Sequence, residues 1–119
     1  MRADPIALSP APRPARRSTG ERLRGAMLAL AGGHGEFLLH AETAWASITF
    51  AGTRHRLRIA FEGEAAVEAG EDLVAALPEH EFAIPRQLVA DATVCGVENT
   101  LLPTPRMVVE CELLLLEDA

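Results

Sequence analysis

Six residues of the chain have imidazole or thiol side chains, the groups that most often bind zinc or serve as nucleophiles in proteins. Zinc sites usually contain closely spaced ligand pairs such as Cys-x-x-Cys, and none of these six residues forms such a pair. We therefore predict no metal site, no catalytic residue and no cofactor. The six are His34, His40, His55, His80, Cys95 and Cys111.

The two cysteines are predicted to lie on opposite faces of a sheet. Cys111 alternates with apolar residues of its strand and is expected in the core, whereas Cys95 falls on the other face. Leu88 and Val94 are expected on the core face, with Val94 paired with Val109. Directly paired residues share a face, so we predict no disulfide between the cysteines. A reactive cysteine needs a partner base and electropositive surroundings, and the sequence assigns neither to Cys95.

A glycine-rich run at 32–35 has the composition of a phosphate-binding loop but the wrong position. Such loops precede a helix, so that the helix N-terminus faces the anion. Here the run follows a predicted helix and leads into a strand. We interpret it as a helix cap and connector.

Nine residues are predicted to share the face of the sheet that carries no helices, which we name the candidate interaction face. Arg54, Arg56 and Arg58 alternate along one strand and Glu110 and Glu112 along another, a pattern that predicts a charge ladder across the sheet. Apolar residues alternate with the glutamates, and apolar patches of this kind are typical of contact surfaces. The face comprises Trp45, Arg54, Arg56, Arg58, Val108, Glu110, Glu112, Leu114 and Leu116.

This face favours a non-enzymatic protein that associates with itself, as a two-fold homodimer, or binds another protein. A second hypothesis is a small-molecule-binding protein or enzyme, with its pocket between helices and sheet or at a dimer interface. A third is RNA binding through the arginine-rich N-terminus and the three arginines of the interaction face.

Hydrophobic periodicity predicts the elements that position these residues. Ser18 and Glu21 have the spacing of a capping box, which starts a helix over 19–31. Residues 36–62 alternate with period two and predict a hairpin that turns at Ala51-Gly52 and pairs Phe50 with Thr53. This register sets Ile48 opposite His55 on the core face and Trp45 beside Arg58 on the other face. A second helix over 64–77 and two further strands, 87–97 and 106–117, follow. Gly70 inside this helix predicts a close approach of the helix to the sheet.

The predicted fold is α+β, with the order αββαββ: a four-stranded, largely antiparallel sheet with two helices on one face. We predict that residues 18–119 form one domain and that residues 1–17, rich in proline and arginine, form a disordered basic tail.

Charge and apolar content restrict the partners of this domain. Residues 1–24 carry six arginines against two acids, and the remainder five arginines against fifteen acids, so the net charges are +4 and −10. A body of that charge repels phosphate backbones, which disfavours nucleic acid as a partner. No apolar run is long enough to cross a membrane. We expect a soluble, cytoplasmic protein.

Overall fold

The computed structural model of the chain describes residues 17–118. The predicted tail, residues 1–17, lies outside this range except for its last residue, and so does Ala119. The elements are α1 (Thr19–Leu30), β1 (Glu36–Ala46), β2 (Ala51–Glu62), α2 (Glu64–Ala76), a 3-10 turn (Leu77–Glu79), β3 (Gln87–Thr100) and β4 (Arg106–Glu117). The predicted α+β class and the order αββαββ are confirmed.

Helix α1 begins at the predicted capping box. The Ser18 hydroxyl accepts a hydrogen bond from the Glu21 amide at 3.1 Å, and the Glu21 carboxylate accepts one from the Ser18 amide at 2.9 Å. These two bonds satisfy amides that have no partner within the helix. After α1, Gly32 and Gly33 adopt positive φ angles, and the Gly33 amide donates to the Leu28 carbonyl. The glycine run therefore caps the helix, as predicted.

Helix α2 lies directly on the sheet at Gly70. A methyl group at this position would come within 2.8 Å of the Phe61 ring and 2.9 Å of the Met107 sulfur. The helix can therefore approach the sheet this closely only because the residue has no side chain, which confirms the predicted role of Gly70.

The four strands form one antiparallel sheet in the order β1-β2-β4-β3. Both helices pack on the same face, where their apolar stripes and the inward residues of the central strands form a single core cluster. The buried members include Leu23 and Met27 of α1, Leu73 of α2, and Leu57, Val109, Leu113 and Leu115 of the sheet. The opposite face of the sheet carries no helix.

The predicted turn of the first hairpin is wrong. The chain turns at residues 47–50, and Ala46 pairs with Ala51. The cause is Ser47, whose hydroxyl accepts hydrogen bonds from the amides of Thr49 and Phe50 and so stabilises a tight turn. Strand faces keep the predicted parity, but every cross-strand pair shifts. Ile48, predicted to face the core, is fully exposed in the turn.

The second hairpin has a different register from the predicted one, although β4 and the middle of β3 keep their predicted faces. Val94 pairs with Cys111 rather than with Val109. Bulges near Ala90 and Cys95 shift the register, so Leu88, predicted on the core face, pairs with Leu116 on the outer face and is exposed. Cys111 is buried and Cys95 is exposed, on opposite faces of the sheet as predicted.

Candidate functional site

The structure brings the nine residues of the candidate interaction face onto the face of the sheet without helices. Its two central strands carry opposite charges. β2 presents Arg54, Arg56 and Arg58, and the neighbouring β4 presents Glu110 and Glu112. A basic stripe and an acidic stripe therefore run side by side along the middle of the sheet.

Two ion pairs connect the stripes within the chain. Arg54 Nη1 lies 3.4 Å from Glu112 Oε1, and Arg58 Nη2 lies 3.4 Å from Glu98 Oε1 on β3. The ladder was predicted between β2 and β4, and the second pair instead crosses β4 to reach β3. Arg56 is exposed and has no ion-pair partner among residues 17–118. Pairs this exposed contribute little to stability, roughly 0–1 kcal/mol each.

One end of the face is apolar. Cross-strand pairing places Trp45, Gly52, Leu116 and Leu88 in a row across all four strands. The predicted neighbour of Trp45 was Arg58, but the shift of the hairpin turn moves the tryptophan to this end. The apolar row and the two charged stripes occupy different parts of the face.

The apolar side chains predicted for this face differ in exposure. Val108 and Leu116 are only 5% and 8% exposed, because their neighbours cover them. Leu39 and Leu88 are more than 40% exposed and belong to the same face. Leu39 was missed because it follows an irregularity in β1, and Leu88 because the bulge in β3 reversed its parity.

The surroundings of Cys95 disfavour a reactive thiolate. Desolvation raises the pKa of this thiol, and the neighbouring carboxylates of Glu112 and Glu110 raise it further. The thiolate is the nucleophilic form, so a raised pKa lowers reactivity. Burial likewise raises the pKa of the Cys111 thiol, to about 12.

On the opposite face, a polar cluster lies between α1 and the first hairpin. Arg24 Nη1 lies 2.6 Å from His40 Nδ1, and His40 Nε2 lies 2.8 Å from His55 Nδ1. Glu42 stands beside them, with its carboxylate 4.0 Å from His40 Nε2. We name these four residues the histidine cluster. His40 and His55 lie fifteen residues apart on different strands, and their spacing in the sequence does not predict that they meet.

Gly20 of α1 allows the helix backbone to lie against this cluster. A methyl group at Gly20 would come within 2.7 Å of the Glu42 carboxylate and 3.2 Å of the His40 ring. The capping box places this glycine in the first turn of the helix, and Arg24 follows one turn later.

The proton positions in the cluster follow from Arg24, because a guanidinium only donates hydrogen bonds. His40 Nδ1 must accept from it, so neutral His40 carries its proton on Nε2 and donates to His55 Nδ1. His55 then carries its own proton on Nε2, a buried atom without a hydrogen-bond partner within residues 17–118. The chain of donors runs in one direction, from Arg24 through His40 to His55.

Both imidazoles are held in the neutral form. Burial lowers the pKa of His40 below 6.5, and His55 and Arg24 lower it further, while Glu42 acts in the opposite direction. Burial also lowers the pKa of His55, again opposed by Glu42.

The arrangement favours a hydrogen-bonded cluster over a metal centre. His40, His55 and Glu42 are close enough to share an ion, and two imidazoles with a carboxylate form known zinc sites. To bind a metal through Nε2, however, His40 would have to move its proton to Nδ1, where Arg24 already donates. The guanidinium would also repel the cation.

The space between helices and sheet, where the second hypothesis would place a pocket, is filled by the core cluster. Within residues 17–118, no helix is long and apolar enough to cross a membrane. No protein-family model, curated protein or solved structure matches the chain.

Proposed function

We propose that this chain is a non-enzymatic association module that forms a two-fold homodimer through the candidate interaction face. The observation that carries the proposal is the pair of adjacent stripes, basic on β2 and acidic on β4, at the centre of the sheet. A surface of this kind is complementary to a second copy of itself.

The complementarity follows from where the two strands lie. In the dimer the two outer faces pack against each other. A two-fold axis that lies between the facing sheets, runs parallel to the strands and is centred between β2 and β4 lays β2 of one copy over β4 of the other. Positions along the strands stay aligned under this rotation. Arg56 then faces Glu112 of the second copy, and Arg58 faces Glu110. Arg56 gains a partner that it does not have within the described part of its own chain.

The same rotation aligns the apolar ends of the two faces. β1 of one copy lies over β3 of the other, so Trp45 meets Leu88. Four strands spaced about 4.8 Å apart offer roughly 600–800 Å² on each copy, and a total of roughly 1,200–1,600 Å² is typical of stable interfaces.

Charge pairing is required for such an interface, because covering ionised side chains without partners costs several kcal/mol each. The stripes supply those partners in the two-fold arrangement. If one copy were displaced so that its arginines faced the arginines of the other, like charges would repel. The charges therefore also select the orientation of the two copies.

The proposal assigns the module to the cytoplasm. Cys95 is exposed beside the acidic stripe, and a reducing compartment keeps such a thiol from forming disulfides between chains.

A pair of complementary charge variants tests the dimer. One chain carries Arg56→Glu and Arg58→Glu, and the other carries Glu110→Arg and Glu112→Arg. Each alone places like charges opposite each other across the axis, so we expect a monomer by analytical ultracentrifugation. Mixed together, the two chains restore opposite charges at every position and should form a heterodimer. The contacts within each chain are the same before and after mixing, so only an interface between copies explains restoration.

Two further measurements complete the test. Trp45 is the only tryptophan, and its emission should shift to longer wavelength when the wild-type dimer is diluted. The control is Glu68→Arg, a charge reversal at an exposed position of α2 on the other side of the sheet, which should leave the dimer intact. A wild-type chain that stays monomeric at high micromolar concentration, or a mixture that stays monomeric, would contradict the proposal.

A further inference from the structure

We propose that the histidine cluster is an acid-sensitive latch, which holds α1 on the sheet while His40 and His55 are neutral and releases it when they are protonated. The latch lies on the opposite face from the proposed dimer interface and is independent of it. Its basis is the direction of the hydrogen bonds that join the three elements: Arg24 on α1, His40 on β1 and His55 on β2.

Every acceptor in this chain of bonds is an imidazole lone pair, so a proton added to either ring removes an acceptor. Protonation of His40 at Nδ1 sets an N–H against the Arg24 guanidinium, now 2.6 Å away. Protonation of His55 at Nδ1 sets two N–H groups against each other across a 2.8 Å gap. Both events break a bond and bring like charges or like dipoles into contact.

The groups that face the two imidazoles determine which hydrogen bonds the protonated rings can form. α1 contributes the cation of Arg24, and β1 contributes the carboxylate of Glu42. β4 contributes apolar Leu113, which pairs with His55, and the neutral thiol of Cys111 beyond it. Glu42 is thus the one nearby anion of the described residues that can accept a hydrogen bond from protonated His40.

This asymmetry explains why protonation acts on the helix. A protonated His40 can turn toward Glu42, which is on the same strand, but it cannot keep Arg24, which is on α1. Protonation therefore strengthens the attraction between His40 and Glu42 within the sheet, and it breaks the hydrogen bond from Arg24 that joins the helix to the sheet. His55 is only 1% exposed, so its protonation also requires water to enter beneath α1.

Amide hydrogen exchange tests the latch in the whole chain. Between about pH 7.5 and about pH 5, protection factors of the α1 amides should fall by about tenfold or more, after correction for intrinsic exchange rates. Amides of α2, which does not contact the cluster, serve as the internal reference and should change much less. Equal changes in both helices, or no change in α1, would overturn the proposal.

The variant His40→Gln distinguishes the latch from general acid sensitivity. A glutamine can accept from Arg24 through its carbonyl oxygen and donate to His55 through its amide nitrogen, without gaining a proton in acid. We expect it to hold α1 at both pH values. The matched controls, His34→Gln and His80→Gln, alter exposed histidines and should behave as the wild type. A His40→Gln chain that loses α1 protection as the wild type does would contradict the latch.

A second variant covers the case in which His40→Gln does not fold. Arg24→Gln removes the cation that opposes protonation of His40, so the pKa of His40, followed by NMR of its ring protons, should rise relative to the wild type. The ring signals of His80 provide the reference. An unchanged His40 titration would show that Arg24 does not control the cluster.

Discussion

The two faces of β2 treat polar side chains in opposite ways. The arginines at positions 54, 56 and 58 are exposed or half-buried. Arg54 and Arg58 pair with carboxylates across the sheet. On the other face, one residue away, His55 is buried, neutral and held by a hydrogen bond to His40. Alternate residues of one strand therefore lie in opposite environments. A charged side chain is well solvated on the outer face and strongly disfavoured on the core face.

The two faces therefore respond to different solution conditions. Exposed ion pairs weaken with added salt but change the free energy of unfolding little. A buried imidazole couples protonation to packing, so its effect is larger and depends on pH. The following experiments test this contrast between the faces.

The largest expected difference is between two adjacent leucines of β4. Leu113 is fully buried in the core and Leu114 is half-buried on the outer face. Leu113→Ala should lower the free energy of unfolding by about 2–5 kcal/mol, through lost burial and the cavity left behind. Leu114→Ala should cost about 1 kcal/mol or less. Urea denaturation of both variants at one protein concentration measures the contrast, and equal losses would refute it.

The second largest effect is expected for the dependence of stability on pH. Both histidines of the cluster have a folded-state pKa below 6.5, so the unfolded chain binds more protons in mildly acidic solution. Their contribution is complete above pH 6.5 and is lost as the pH falls through 6.5 toward the folded values. Urea midpoints measured across this window should therefore fall with acidification. In His55→Leu the fall should be smaller than in the control His34→Gln; equal slopes would contradict the assignment.

Two helix glycines are expected to respond with opposite signs. Gly25 has no atom within 4 Å of the position that a methyl group would occupy, so Gly25→Ala should stabilise the protein by up to about 1 kcal/mol through helix propensity. In Gly70→Ala the new methyl group would clash with Phe61 and Met107. The cost of this overpacking should exceed the gain in helix propensity, so the variant should be less stable than the wild type by about 1 kcal/mol. Thermal unfolding of both variants checks the signs, and stabilisation by Gly70→Ala would show that the contact is soft.

The smallest effect is expected for the ion pair between Arg54 and Glu112. A double-mutant cycle with Arg54→Ala and Glu112→Ala should give a coupling energy of about 0.5 kcal/mol or less. Added salt should reduce it further. A coupling above about 1.5 kcal/mol would mean that the pair is shielded from solvent, as it would be inside a dimer.

Much of the fold could be predicted because its signals are local. The capping box of α1, the single apolar stripe of each helix and the alternation along β2 and β4 depend on residues close in sequence, and the structure confirms them. The parity of β2 and β4 was predicted correctly for the same reason, because parity depends only on alternation. A bulge reverses parity, as at Leu88 of β3, where the prediction was wrong.

The pairings and the histidine cluster could not be predicted because they depend on details that alternation does not encode. Ala51-Gly52 is typical of a two-residue turn, but the hydroxyl of Ser47 stabilises a turn whose centre lies three residues earlier. That shift sets Glu42 rather than Ile48 opposite His55. Meeting of His40 with His55 and Arg24 requires this register, the absence of a side chain at Gly20 and the docking of α1, which no single segment reveals.

The strand order has a consequence for how the domain folds. Each half of the chain supplies one edge strand and one central strand, and the central pair joins Gly52 to Leu116 across the whole domain. The two hairpins have local contacts and can form quickly, but neither has a complete sheet until β2 meets β4, a step slowed by the entropy of closing a long loop. Until then, each hairpin presents an unpaired edge that fits the other half of any copy of the chain. Refolding at high protein concentration therefore favours domain swapping, in which two molecules exchange equivalent halves. The segment around Gly63, which joins the two halves, would be the hinge of the exchange.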